Sequence, residues 1–305
     1  MIICCGEALI DMISEPDGAT FVPHVGGAVL NTAVALGRLG VPTGLITGLS
    51  SDPFGLMIKT ALAASRVSTA HAVHNDRNTT LAFVHLENGQ ATYSFYDDNT
   101  ATRKITTADL KTLPHDTEAI FFGGISLCNP PVADTLVELA LAQPADKLVM
   151  IDPNIRPNFI TDKTAYSSRL KSLLVRADIV KLSDDDINWL IEGNASLVEK
   201  GHAVLAMGPK LLLLTQGSSG ATALIKGRKP VHVAATKVEI IDTVGAGDTF
   251  NAACLATLRA EDALAPSVLE TLSYEKLTKM LTTANRTAAV TVSRTGANPP
   301  WANEL

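Results

Sequence analysis

The sequence predicts an α/β fold: a doubly wound, mainly parallel sheet flanked by helices, with a small second β-sheet, all within one domain spanning residues 1–305. Three observations lead there. From Glu118 onward, short apolar runs alternate with helix-spaced patterns, the signature of strands joined by crossover helices. Two glycine turns, Gly26-Gly27 and Gly245-Ala246-Gly247, each feed a helix-spaced run. Residues 79–97 change character, with Leu81, Phe83 and His85 alternating against Ala82, Val84 and Leu86 before Asn88-Gly89, a strong hairpin signal.

Taken in order, Ile2 to Cys5 is a short apolar strand that runs into Gly6-Glu7, and Leu9-Ile10 leads to Asp11. Ligands of open α/β sheets gather at such strand ends, so Asp11 either grips substrate hydroxyls or caps a turn. The glycine turn at Gly26-Gly27 opens a small-residue helix that carries Asn31 and stops at Gly40, with Pro42 behind it. Small residues predict close packing on the sheet. Leu45 to Thr47 forms the next strand and runs into the Gly48 to Gly55 loop. The 79–97 hairpin, joined by extended residues around Ile13 to Val25, makes a second sheet; from the pattern it is equally an edge hairpin or a cover over a site.

Strands at Ala119 to Phe122, Leu148 to Ile151 and Ile179 to Leu182 then alternate with helices near Val132 to Ala142 and Tyr166 to Val175. Asp152-Pro153-Asn154-Ile155-Arg156-Pro157 reads as a proline-fixed turn, and Ser183 to Asp186 as an acidic helix start. Leu211 to Leu214 is a buried strand. The loop that follows, Thr215-Gln216-Gly217-Ser218-Ser219-Gly220, is a hairpin turn or a backbone cradle for phosphates, without the lysine of a Walker loop. The β-branched run Val238 to Ile241 predicts a strand entering the Gly245 turn, and Leu277 to Ala289 the last helix, carrying Asn285.

Composition narrows the function classes. Hydrophobic residues are 46% of the chain and charged residues 18%, which argues for a packed core and against disorder. The net charge of −6 disfavours nucleic acid, and an acidic protein that handles phosphates needs local positive potential. Cys4, Cys5, Cys128 and Cys254 lack metal-ligand spacing, and adjacent Cys4 and Cys5 should face opposite sides of a strand. The first ten residues lack a basic start and no apolar run is long enough to span a membrane, so a cytoplasmic location is expected, with small molecules as partners.

The chemistry concentrates in Asp242-Thr243-Val244-Gly245-Ala246-Gly247-Asp248-Thr249-Phe250. The first amides of a helix have no internal partner and carry partial positive charge, so Gly245, Ala246 and Gly247 can offer donors to a developing anion. Asp248 stands where its carboxylate can take a proton from a hydroxyl that attacks a bound phosphate. In a loose transition state that proton leaves late, so a carboxylate at its ordinary pKa of ~3.9 suffices. Alone, Gly-x-Gly-Asp is also what an ordinary helix start looks like.

The extended string resembles the C-terminal signature of the ribokinase-like (PfkB) carbohydrate kinases, and Gly6 to Asp11 and Phe95 to Ala101 resemble bacterial fructokinases in particular. The resemblance spans nearly the whole chain. It implies a ribokinase-like fold whose lid is formed by about residues 12–25 and 79–104, and an ATP-dependent kinase acting on a primary hydroxyl of a small sugar, most readily fructose. It implies that Asp248 is the base and that Gly245, Ala246 and Gly247 form the anion hole. Asp11, Gly26, Gly27, Asn31, Phe95, Asn99 and Arg156 would meet the sugar, and Lys181, Ser183, Thr215, Gly217, Ser218, Gly220 and Asn285 the nucleotide. Asp186 would order Mg2+ indirectly, standing with Ser183 where relatives carry Asn-x-x-Glu, and Asp242 would border a K+ loop. Asp97 stands where many relatives have a basic residue, and a homodimer through the lid is a further implication.

Other readings compete. A sugar-acid kinase, such as one for 2-keto-3-deoxygluconate, needs a basic group that Arg103 or Arg156 can supply, and a ribokinase or nucleoside kinase is a more distant alternative. A dinucleotide oxidoreductase fails on spacing, because Phe250 holds the third glycine position and Asp248 would repel a pyrophosphate. A non-catalytic sugar-binding regulator gives no reason to keep an anion hole and Asp248 together.

Overall fold

The computed structural model describes residues 1–15, 19–87 and 90–305. In chain order, β1 (Ile2–Cys5) is followed by β2 (Leu9–Ser14), β3 (Phe21–Gly26), α1 (Ala28–Arg38), β4 (Thr43–Ile46), β5 (Gly48–Ser50), α2 (Pro53–Ala64), β6 (Val67–Ser68) and β7 (Val73–Asn75). Next come β8 (Thr80–Glu87), β9 (Gln90–Tyr96), β10 (Ala119–Gly123), α3 (Val132–Leu141), β11 (Leu148–Asp152), α4 (Lys163–Arg176), β12 (Ile179–Ser183), α5 (Asp184–Leu190) and α6 (Leu197–Leu205). The chain continues through β13 (Leu211–Thr215), β14 (Ala221–Ile225), β15 (Val231–Val233), α7 (Ala246–Ala260) and α8 (Tyr274–Val292).

The large sheet has the order β15-β14-β13-β12-β11-β10-β1-β4-β6. It is parallel from β6 through β13, and β14 and β15 add antiparallel strands at one edge. Its strands are buried on both faces, which is why they read as continuous apolar runs rather than alternating ones. Cys4 faces a core built with α1, α7 and α8, and Cys5 faces the opposite core built with α3, α4 and α6. The strand pleat separates the two thiols as the sequence predicts, and all four cysteines are buried and free.

Helix α1 is buried from Val29 to Gly37, and a Cβ at Gly37 would fall 2.1 Å from Ser65 O. That contact is the close packing its small residues imply. A separate four-stranded sheet has the order β3-β2-β8-β9, with β2 and β8 parallel and both outer pairs antiparallel. Phe83 binds its face together, edge-on to Phe21 at 5.0 Å and to Tyr96 at 5.2 Å. The Asn88-Gly89 turn lies outside the described residues.

One predicted strand is not formed. Val238 to Ile241 has no ladder partner, and Val238, Ile240 and Ile241 are exposed. Its closest tie is Ile241 N–H donating to Val292 O at 2.8 Å. A β-branched run becomes a strand only beside another strand, and β15 has already closed that edge at Val233. Among the described residues, no helix is long and apolar enough to cross a membrane.

Candidate active site

Seven parallel strands present their C-terminal ends along one edge, and β1 lies between β4 on one side and β10 on the other. The chain therefore departs from this region in both directions, which leaves a crevice at the switch point. A cavity of about 270 Å3 opens there, lined among others by Glu7, Asp11, Asn31, Asp152, Lys181 and Asp248.

Helix α7 carries the carboxylate predicted to be the base. Gly245 caps it at φ 78°, a left-handed conformation that favours glycine, and a Cβ there would come within 2.7 Å of Ala297 Cβ. Gly245 and Gly247 line the cavity; the Ala246 amide instead turns back to Thr243 O at 3.3 Å. Of the three residues predicted for the anion hole, only the two glycines line the cavity among the described residues. Asp248, in the first turn of α7, is only 8% exposed and accepts a hydrogen bond from Asn31 Nδ2 at 2.9 Å. Burial pushes its carboxyl up to about 7, with Asn31 opposing and the charge of Asp152 adding to the rise. The ordinary carboxylate value expected from sequence is thus corrected by desolvation, toward the pH at which a general base works best.

Across the cavity, Asp11 on β2 is pressed against Gly26, where a Cβ would fall 2.0 Å from its Oδ2. Burial and then the charge of Glu7 raise the Asp11 carboxyl to about 7. Gly27, at φ 107°, passes over Glu7, and Asn31 spans from α1 to Asp248. Phe95 lines the wall and packs on Phe159 at 4.7 Å, while Arg156 lines the rim and donates to the carbonyls of Asn154 and Ile155. Asn99 is a correction: it sits at φ 61° on an outer surface, bonded to Arg77, and does not line this cavity. The turn after Tyr96 carries it away. Asp97, read as a departure from relatives, pairs with Arg103 at 2.9 Å.

Three residues that the sequence reading left without a role belong here. Glu7 is 3% exposed; its Oε1 accepts from Ala28 N–H and its Oε2 from Ser126 N–H and Oγ, tying β1 to the start of α1 and the turn after β10. Asp152, at the end of β11, accepts from Lys181 Nζ at 3.0 Å and from Asn251 Nδ2 at 2.7 Å. The signals were present: a carboxylate at a parallel strand end, and an Asn three residues beyond Asp248 on one helix face.

The residues predicted for the nucleotide divide. Lys181 lines the cavity. Thr215, Gly217, Ser218 and Gly220 form the β13–β14 hairpin connection, and Gly220 lies so close to the end of β15 that a Cβ would be 2.1 Å from Val233 O. Asn285 joins them there, its amide donating to Val233 O and Ala234 O at 3.0 and 3.1 Å. These five gather at one end of the sheet edge, outside the cavity.

Ser183 and Asp186 hold each other at the start of α5. Asp186 Oδ2 accepts from Ser183 N–H and Oγ, its Oδ1 accepts from Ile155 N–H at 2.8 Å, and Ser183 Oγ caps α5 in return. Asp186 is therefore a buried cap, with each oxygen already on a protein donor. Among the described residues no group of three or more His, Cys, Asp or Glu could hold a metal ion. A magnesium ligated directly by three or more such side chains does not fit this donor set. Asp242 accepts from Val244 N–H and from Gly296 N–H, locking the loop before α7 to the loop after α8.

The chain is similar to known sugar kinases over most of its length. The chain is 44% identical over 288 residues to a fructokinase of Rhizobium leguminosarum bv. trifolii, covering 91% of this chain and 85% of that one. Among solved structures it superposes on the fructokinase with bound ATP from Xylella fastidiosa with a TM-score of 0.88 at 29% identity, covering 97% and 93% of the two chains. It likewise superposes on a sugar kinase from Pyrococcus horikoshii in complex with ATP, with a TM-score of 0.85 at 28% identity and 100% and 97% coverage. Residues 1–304 match the pfkB family carbohydrate kinases, and the chain belongs to that family.

Proposed function

We propose that this carbohydrate kinase transfers the γ-phosphoryl group of ATP to a primary hydroxyl of fructose. The observation that carries the reading is the convergence of Asp248 and the Gly245–Gly247 turn on one cavity whose far wall is Asp11 and Phe95. The fructokinase relative at 44% identity supports the sugar, and the ATP-bound neighbours support the nucleotide. Asp11 and Glu7 hold the sugar side, Asp248 takes the hydroxyl proton, and the two glycine amides face the phosphoryl oxygens. The O–P bond forms as the bond to ADP breaks, and ADP leaves with that electron pair. Magnesium belongs to the nucleotide substrate as MgATP, and potassium enters as an activator at the loops joined by Asp242.

Charge favours a neutral sugar over a sugar acid. Among the described residues four carboxylates line the cavity, Arg103 is neutralised by Asp97, and Lys181 is paired with Asp152, which leaves Arg156 at the rim as the one candidate there for a substrate carboxylate. A coupled ADP-release assay across ketoses, pentoses, nucleosides and 2-keto-3-deoxygluconate tests this. Fructose should give the highest kcat/KM; a preference for the keto acid would move the assignment to a sugar-acid kinase, and equal weak rates would reject both. The proposal extends to one ribokinase-like domain over residues 1–305, closure of the small sheet as a lid that excludes water, a homodimer through that sheet and a cytoplasmic setting.

A further inference from the structure

Asp152 is 2% exposed and takes three donors on one carboxylate: Lys181 Nζ at 3.0 Å and Asn251 Nδ2 at 2.7 Å on Oδ2, and Asn154 N–H at 3.1 Å on Oδ1. Each donor comes from a different element: the middle of β12, the interior of α7 and the turn after β11. An ammonium has three donors, and that of Lys181 meets no other protein acceptor among the described residues. Lys181 is 4% exposed yet lines the cavity, and a Cβ added to Gly247 would lie 3.2 Å from its Nζ. The remaining donors of a buried cation are thus held against the anion hole. Asn251 Oδ1, buried and without a partner, marks the same point as one built around Asp152 rather than around Asn251's own needs.

We infer that Asp152 is a positioning residue for phosphoryl transfer: by gripping Lys181 and α7 on one oxygen, it aims the ammonium at the phosphoryl group held by Gly245 and Gly247. The inference rests on the kinase reading above. Lys181 keeps its proton throughout; the proton released by the sugar goes to Asp248, and the ammonium stabilises charge spread over the phosphoryl oxygens. The groups that face Lys181 are Asp152 from β11, Asp186 from α5, and Asp248 and Cys254 from α7. Burial alone would lower the lysine pKa, but Asp152, Asp186 and Asp248 together hold it above the ordinary value. An unpaired ammonium at this depth would lose its proton more easily, so Asp152 secures both the aim and the charge.

The test is a double-mutant cycle on purified protein with fructose and MgATP, using the isosteric Asp152→Asn, Lys181→Met and the double variant. Wild type is assayed first: no turnover with any sugar would sink the kinase reading and this inference with it, whereas the variants test the inference alone. With wild type active, Asp152→Asn should lower kcat roughly 10- to 100-fold, with the KM for fructose changed less than about threefold. It should also bring the alkaline fall of kcat down by about one pH unit or more. In the Lys181→Met background the same change should add little. Full kcat in a folded Asp152→Asn protein, an unmoved alkaline limb, or losses that multiply in the double variant would each overturn it. Thermal unfolding and near-ultraviolet circular dichroism separate these outcomes from misfolding: should Asp152→Asn not fold, Asn251→Ala carries the test, expected to lower kcat less while leaving the KM for fructose in place.

Discussion

Asp248 combines two properties that pull in opposite directions. Its burial destabilises the charged form, and that same burial makes it a better proton acceptor once sugar is bound. The sign for stability follows from proton linkage. Between about pH 4 and pH 7 the folded protein holds a proton that the unfolded chain has released, so stability present at low pH is lost as pH rises through about 7. Asp248→Asn removes the charge, keeps an acceptor for Asn31, and should lower turnover roughly 10²-fold to 10⁴-fold. Its melting temperature should exceed that of wild type at pH 8, with the difference shrinking at pH 5, as thermal scans at both values will read. Near-normal turnover, or a lower melting temperature at pH 8, contradicts the assignment. The identity of this residue was legible in nine consecutive letters, whereas its pKa was not, because desolvation depends on what α1 and β11 place around it.

At the scale of elements, helix starts decide which carboxylates are free. Asp248 and Asp186 both stand in the first turn of a helix, and sequence alone treats them alike. Gly245 caps α7 without a side chain and leaves Asp248 to the cavity, whereas Ser183 caps α5 and draws Asp186 into a reciprocal box. Asp186→Ala should therefore lower unfolding free energy by about 1–3 kcal/mol in denaturant titration and leave the magnesium dependence of turnover unchanged. A shifted magnesium dependence would restore it to the metal. Likewise the small sheet meets the site through Asp11 on β2, braced by the bare Gly26 on β3. Gly26→Ala should raise the KM for fructose at least about tenfold, since a methyl 2.0 Å from the carboxylate must displace it, while the KM for ATP holds. Equal changes in both constants would indicate general damage instead. The hairpin pattern announced this sheet correctly, but the false strand at Val238 to Ile241 has the same composition and lacks only a neighbour.

For the whole molecule, the two cores on either side of the large sheet give a rigid edge, and the second sheet contributes Leu9, Asp11 and Phe95 to the cavity there. Ligand binding at such a junction couples both sheets to folding. Fructose at about 100 times its Kd should raise stability by about 2.7 kcal/mol, or roughly 4 °C in melting temperature for a chain of this size, whereas a sugar acid at equal concentration should shift it less. Differential scanning calorimetry with each ligand measures this, and a larger shift with the sugar acid would argue for that substrate class.

By itself the sequence determined the periodicities, the glycine turns and the Gly-x-Gly-Asp chemistry, because these depend on neighbours a few residues away. Only the tertiary structure decided which acids are free, which are caps, and that Glu7, Asp152 and Asn251 belong to the site. Apart from Asn154 beside Asp152, the partners cited for them lie 21 to 119 residues off along the chain, so burial, pairing and charge at those positions are properties of the folded arrangement.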